Sequence, residues 1–175
     1  MGIIIRWIRF GLFVLVSLFV VFTLLSLLFP SDIRVSRVVN VAASREELYS
    51  AVSDLKSWKE WNGMLDPQIL SHIRYSSPSA GAGAYMQSDQ LRIDERRADT
   101  AGVLLNWNLT GGKQFVSGFQ FLTVNPDSIT VQWWFDLHFR WYPWEKLGVF
   151  VYDRKLGPVM EESLQKLARY VEKPR

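Results

Sequence analysis

The sequence predicts an α+β domain behind one N-terminal membrane-spanning helix, with an antiparallel sheet covered by a single long C-terminal helix. Three observations support this. An uncharged apolar run opens the chain. Alternating apolar segments joined by tight turns fill the middle, and an amphipathic stripe of helical period closes it. The chain has 175 residues, and the part after the apolar run, about 145 residues, suits one domain with its own core. Apolar residues make up 49% of the chain, too many for a disordered protein. Eight Trp, eleven Phe and six Tyr must either fill that core or line a cavity in it.

Phe10 to Phe29 carries no charge and ends at Pro30-Ser31-Asp32. A helix of that length spans roughly 30 Å, the hydrocarbon thickness of a bilayer. Trp7 and Phe10 fall at the near interface, where aromatics sit best. A cleaved signal peptide should have a shorter apolar region and a small-x-small site. Leu27-Leu28-Phe29-Pro30 offers none, and Ala42-Ala43-Ser44 lies too far downstream. The reading is therefore an uncleaved anchor over residues 1–31, followed by one domain over 32–175. Arg6 stands where N-myristoylation wants Ser or Thr. No small-xxx-small pair argues for anchor-driven dimers, and the sequence leaves the oligomeric state open. Arg6 and Arg9 nearly balance Arg34, Arg37 and Arg45 across the span. The domain is placed outside the cytoplasm because long domains translocate largely regardless of charge.

The first strand runs from Ile33 to Val41, with Ile33, Val35, Val39 and Val41 on one face. Ser44-Arg45-Glu46-Glu47 is an S-x-x-E capping box that starts a helix. Leu48, Val52 and Leu55 form the buried stripe of that helix. A second short helix, Ser57 to Asn62, carries Trp58 and Trp61, and Asp66-Pro67 ends it. Strands are expected over Ile69–Ser76, Ala84–Ser88, Leu91–Ala98, Gly102–Leu109, Gln114–Val124 and Ser128–Phe139. Thr110-Gly111-Gly112 makes a hairpin turn. In the last strand Val131, Trp133, Phe135, Leu137 and Phe139 share a face. Leu156, Met160, Leu164, Leu167 and Val171 make the terminal stripe, with Pro158 in the first turn of its main part. Consecutive strands joined by tight turns give an antiparallel sheet.

Composition excludes several classes of function. Setting aside Arg6 and Arg9, 18 basic residues face 17 acidic ones, so the domain lacks the basic footprint of a nucleic-acid binder. The absence of Cys removes disulfides, thiolate catalysis and Cys-ligated metals. No phosphate loop, G-x-G-x-x-G or H-E-x-x-H is present, and no cofactor is expected. His72 and His138 are the only histidines. They form no triad or metal set by local motif, and His138 reads as a surface residue.

Several segments together resemble the SRPBCC, or START-like, superfamily, which includes bacterial polyketide cyclase/dehydrase-like proteins. They are Val38-Val39-Asn40-Val41, Ser44-Arg45-Glu46-Glu47-Leu48-Tyr49, Val52-Ser53-Asp54-Leu55, Trp58, Trp61 and Asp66-Pro67. Gly81-Ala82-Gly83-Ala84 looks like the glycine-rich entry to the third strand. Leu147-Gly148-Val149-Phe150, with the stretch through Leu164 and Leu167, looks like the terminal helix of membrane-anchored bacterial members. The resemblance covers Ile33 to Glu172. It implies a helix-grip fold, a curved antiparallel sheet around the long terminal helix with a ligand tunnel between them, and a bacterial inner-membrane location. Asp89-Gln90-Leu91-Arg92 departs from the Gly-x-Gly pair that many members carry before the fourth strand, which puts the pairing at that edge in question.

Trp107, Phe119, Phe121, Trp133 and Phe135 recur at period two on consecutive strands, so one register puts them on a single face. Met160 lies on the helical stripe above it. These six residues are the candidate ligand-binding set, although they could equally close into a solid core. Trp58 and Trp61 read as core anchors. Glu95 falls in phase with Leu91 and Ile93, so strict alternation turns it inward, where it could orient a ligand or act as a base. The run Asp94-Glu95-Arg96-Arg97 nevertheless looks solvated. A bulge that turns Glu95 outward is preferred, since burying an unpaired charge is costly. The expected partners are an apolar small molecule and the membrane, without nucleic acid. The expected function is a tethered binding module for a hydrophobic or lipid-like molecule. Alternatives are a cyclase/dehydratase-type enzyme, for which no catalytic set is assigned, and a ligand-free scaffold.

Overall fold

The computed structural model describes residues 2–28, 30–65, 70–125, 128–140 and 142–172. In chain order the elements are α1 (Gly2–Leu27), β1 (Asp32–Val41), α2 (Arg45–Ser53), α3 (Trp58–Trp61) and β2 (Arg74–Tyr75). They continue with β3 (Tyr85–Gln87), β4 (Leu91–Asp99), β5 (Gly102–Leu109), β6 (Gln114–Asn125), β7 (Ser128–His138) and α4 (Pro143–Glu172). Two compact units divide the chain: Met1–Ile33 with His138–Tyr152, and Arg34–Leu137 with Asp153–Arg175.

In the first unit α1 runs 26 residues, about 39 Å at 1.5 Å per residue. It is the one described helix long and apolar enough to cross a membrane. Its large apolar residues point outward all round: Leu12, Phe13, Leu15, Phe19 and Phe22 are each exposed. A helix that is apolar on every side needs an apolar surround. Phe29, the expected end of the span, lies outside the described residues. Elsewhere in this unit the Phe139 N–H donates to the Ser31 carbonyl at 2.8 Å. His138 Nδ1 lies 2.6 Å from the Asp32 carboxylate, with both side chains exposed.

The second unit holds most of the seven-stranded sheet, whose order is β1-β7-β6-β5-β4-β3-β2. Strands β2 to β7 form an antiparallel meander. Arg34 meets Asp136 and Asn40 meets Thr130, the crossed register of an antiparallel β1–β7 pair. The capping box forms as the sequence predicts. Ser44 Oγ accepts the Glu47 N–H, and Glu47 reaches back to the Ser44 N–H. Leu48, Val52, Leu55, Trp58 and Trp61 are all buried. At the hairpin, Gly111 and Gly112 take φ +104° and +82°, the left-handed region open to glycine.

Three expectations need correction. The strand expected over Ile69–Ser76 shrinks to Arg74–Tyr75. His72, at φ +54°, interrupts the extended backbone, and Ile69 lies outside the described residues. Pro158 does not open the terminal helix but sits inside it. Pro143 occupies the first helical position, where a missing N–H costs nothing, and the 30-residue helix runs on past Pro158. Gly157 is buried, and a Cβ there would collide with the Arg37 guanidinium. That guanidinium also pairs with Asp153 and Glu161 of α4 at 3.1 and 2.7 Å, so α4 lies against the inner side of β1. The edge at Asp89-Gln90 pairs regularly, with Tyr85, Met86 and Gln87 opposite Asp94, Ile93 and Arg92.

Candidate functional site

The register builds the inner face row by row. One row is Glu95, Leu105, Ser117 and Phe135; the next is Ala98, Val103, Phe119 and Trp133. Strand alternation turns each row to the same side. The six candidate residues Trp107, Phe119, Phe121, Trp133, Phe135 and Met160 are all buried. Four of the rings touch each other. Phe119 stacks on Trp133 at a centroid separation of 4.9 Å, Trp107 meets Phe135 at 5.2 Å, and Trp133 meets Phe135 at 5.4 Å. Trp58 and Trp61 enter the same cluster through Phe119, each at 5.9 Å. They are core anchors, as their spacing predicts. α4 adds Met160, Leu164 and Leu167, all buried.

Polar groups on this face divide sharply. The Trp107 indole N–H donates to Ser117 Oγ at 2.8 Å, and the Trp58 N–H to the Val52 carbonyl at 2.8 Å. The Trp133 indole N–H has no partner, although the residue is fully buried. A buried donor without an acceptor costs about 1–3 kcal/mol.

Glu95 contradicts the outward reading. Its residue is only 2% exposed, and neither carboxylate oxygen has a hydrogen-bond partner. The bulge does exist, but one step later. Glu95 pairs with Leu105 and Arg97 with Leu104, so Arg96 is the extra residue. Arg96 and Arg97 turn to solvent and Glu95 stays in, because a bulge re-aims the side chains that come after it. Glu95 is held on its edge by Ala84, whose carbonyl accepts its N–H at 2.8 Å, and by the Gly83 N–H, which donates to its carbonyl at 2.8 Å. Gly81 and Gly83, both at φ +91°, let the loop fold over it.

Burial pushes the Glu95 carboxyl up to about 8, and the nearby negative charge of Asp54 adds to the shift. The Gly81 N–H works against it without closing a hydrogen bond. At neutral pH this carboxyl is therefore mostly protonated and uncharged. Asp54 and Gly81 also line an open cleft of about 560 Å³, with Tyr49, Ser53 and Ser79. A second cleft, about 370 Å³, lies between α3 and α4, with Trp61, Asn62 and Val159 in its wall. Among the described residues no group of three or more His, Asp and Glu side chains could hold a metal ion. His72 sits on the surface beside Asp89, at 2.7 Å.

Residues 32–172 match the family described as polyketide cyclase / dehydrase and lipid transport, and the chain belongs to that family. No curated protein matches the sequence. Solved structures share the fold at low identity. Norcoclaurine synthase from Thalictrum flavum, in complex with dopamine and hydroxybenzaldehyde, is 13% identical over 82% of this chain and 90% of that one, with a TM-score of 0.59. A START superfamily protein from Mycobacterium smegmatis is 19% identical over 79% and 97%, with a TM-score of 0.55. DynU16, of the dynemicin biosynthetic locus, is 19% identical over 82% of this chain with a TM-score of 0.57, and this chain spans 48% of its length. The family and these neighbours share the curved antiparallel sheet and C-terminal helix of the helix-grip fold.

Proposed function

We propose that this member of the polyketide cyclase/dehydrase and lipid transport family is a membrane-tethered binding module for an apolar small molecule. The molecule rests against Trp107, Phe119, Phe121, Trp133, Phe135 and Met160. The observation that supports this reading most directly is the gathering of the five aromatic side chains on one buried face of the sheet, with Met160 of α4 buried as well. An apolar lining with few polar groups suits a flat or long-chain hydrophobic molecule better than a sugar or nucleotide. Phe119 and Trp133 are stacked, so the ligand lies against the cluster rather than between that pair. α1 is the tether. It would hold the site near a bilayer, where such molecules are concentrated, in a bacterial inner membrane with the domain outside the cytoplasm.

Titrating the full chain in detergent micelles with oleic acid and with pyrene, while following Trp fluorescence, tests the reading. Saturable binding in the micromolar range, weakened by Trp133→Ala, is the expected result. Linear partitioning identical to that of empty micelles would leave the filled-core scaffold in its place.

Glu95 favours one second reading, an enzyme of the cyclase/dehydratase type with this carboxyl as its general acid. A buried acid titrating near neutral pH is suited to give and take a proton. Turnover of a bound molecule, abolished by Glu95→Gln while binding persists, would separate the enzyme from the carrier.

A further inference from the structure

We infer that Glu95 is the polar anchor of the ligand site, and that the molecule it receives is uncharged and offers a carbonyl or similar acceptor oxygen to its carboxyl group. This rests on the ligand-binding reading above and names the chemistry of the bound molecule.

The geometry singles out two groups. Among the described residues, the strands bury two unpartnered polar side chains on the inner face, Glu95 and Trp133, and the covering segment after α3 buries a third, the Asn62 amide nitrogen. Glu95 stands at one end of the row that runs through Leu105 and Ser117 to Phe135, and Trp133 lies two residues along β7 from Phe135. Three strand spacings across the sheet and two residues along it, together roughly 16 Å, separate their backbones, and both side chains project to the same side.

The protonation state decides what Glu95 can recognise. As a neutral carboxyl it offers one O–H donor, while its carbonyl oxygen can still accept. The Trp133 indole is a donor only. A ligand that satisfies both must bring acceptor oxygens. A cationic amine would pair only with the ionised carboxylate, after Glu95 has lost its proton to solvent, and would leave the indole unpaired. Among the described residues, Asp54 is the charged group that acts on Glu95 from the elements packed around it. α4 contributes Met160, Ser163, Leu164 and Leu167 to the core, none of which titrates. Asp94 and Arg96, its neighbours on β4, alternate to the opposite side.

The test compares 9-fluorenone with fluorene, two flat molecules of equal shape that differ by a ketone oxygen. Each is titrated into the full chain in micelles at pH 6.5 and pH 9, with empty micelles as the blank. Wild type should bind fluorenone roughly five- to tenfold more tightly at pH 6.5, the worth of one hydrogen bond. At pH 9 the preference should vanish, because the ionised carboxyl has no proton to donate. In Glu95→Gln the amide donates at either pH, so the preference should persist at pH 9. In Glu95→Leu it should be lost at both. Equal binding of the two probes by wild type at pH 6.5, or a preference unchanged by pH, overturns this inference alone. No saturable binding of either probe overturns the ligand-binding reading and this inference with it.

Discussion

On the outer face of the sheet, Arg34 grips Asp136 through two hydrogen bonds of 2.7 and 2.8 Å and lies 4.1 Å over the Trp134 ring. Gln132 donates to Ser36, Thr130 to Asn40, and both Arg92 and Asn108 to Asp94. Among the described residues only Asn106 Oδ1 is left buried and unpaired there. The inner face reverses this order, since Glu95 and Trp133 carry polar atoms without a hydrogen-bond partner. Trp107 and Ser117 are paired there, but Glu95 and Trp133 are left unpaired where an orphan costs most, in a low dielectric. Strain of this kind is retained where something else uses it, and that argues for function on the inner face.

The largest effect should come from breaking the cover of that face. Leu164→Asp puts an unpaired charge at a fully buried position of α4. The expected loss is about 3–5 kcal/mol against a total of roughly 5–15 kcal/mol. Thermal melting followed by circular dichroism should show the transition lowered by roughly 10–20 °C. An unchanged melting temperature would mean that α4 does not seal the core.

Glu95 should impose a pH dependence with a definite sign. Its carboxyl is raised from 4.5 to about 8 in the folded protein, so the folded state binds more protons than the unfolded state within that window. Stability should be greatest below the unfolded value and fall as pH rises towards 8, by up to about 1.4 kcal/mol per pH unit. Glu95→Gln should flatten that slope and exceed wild type at pH 8. Parallel urea melts of the two proteins from pH 5 to pH 8 would contradict the buried, neutral carboxyl.

Trp133→Phe keeps an aromatic ring but removes the orphan donor. Relief of the orphan donor should offset the packing lost with the smaller ring, leaving stability within about 1 kcal/mol of wild type, whereas a loss of about 3 kcal/mol or more would contradict an unpaired indole N–H. The smallest effect belongs to the outer face. Asp136→Asn weakens an exposed pair, worth less than about 1 kcal/mol, and a chemical-denaturation midpoint close to wild type is expected.

The contrast between the faces also explains which features are legible in the sequence. Alternation along Val131, Trp133, Phe135 and Leu137 sets the inner face because every second residue is large and apolar. The capping box at Ser44 and the stripe Met160, Leu164 and Leu167 set two helices, since 3.6-residue spacing has no other use there. Glu95 escapes a reading by composition, although the same alternation points to it. Its neighbours Asp94, Arg96 and Arg97 make a charged run, and a bulge one residue later sends only the arginines out. Position in a ladder outweighs local composition, and sequence alone does not show where a bulge falls. The strand over Ile69–Ser76 fails for a similar reason, because one residue at positive φ, His72, ends the extended run without any Gly or Pro to announce it.

Native mass spectrometry of the full chain, extracted in mild detergent at neutral pH, tests the central claim most directly. The expected result is a co-purifying apolar molecule that bears acceptor oxygens and is depleted in Glu95→Leu. A bare polypeptide mass for wild type after extraction, together with no saturable uptake of added fluorenone, would contradict it.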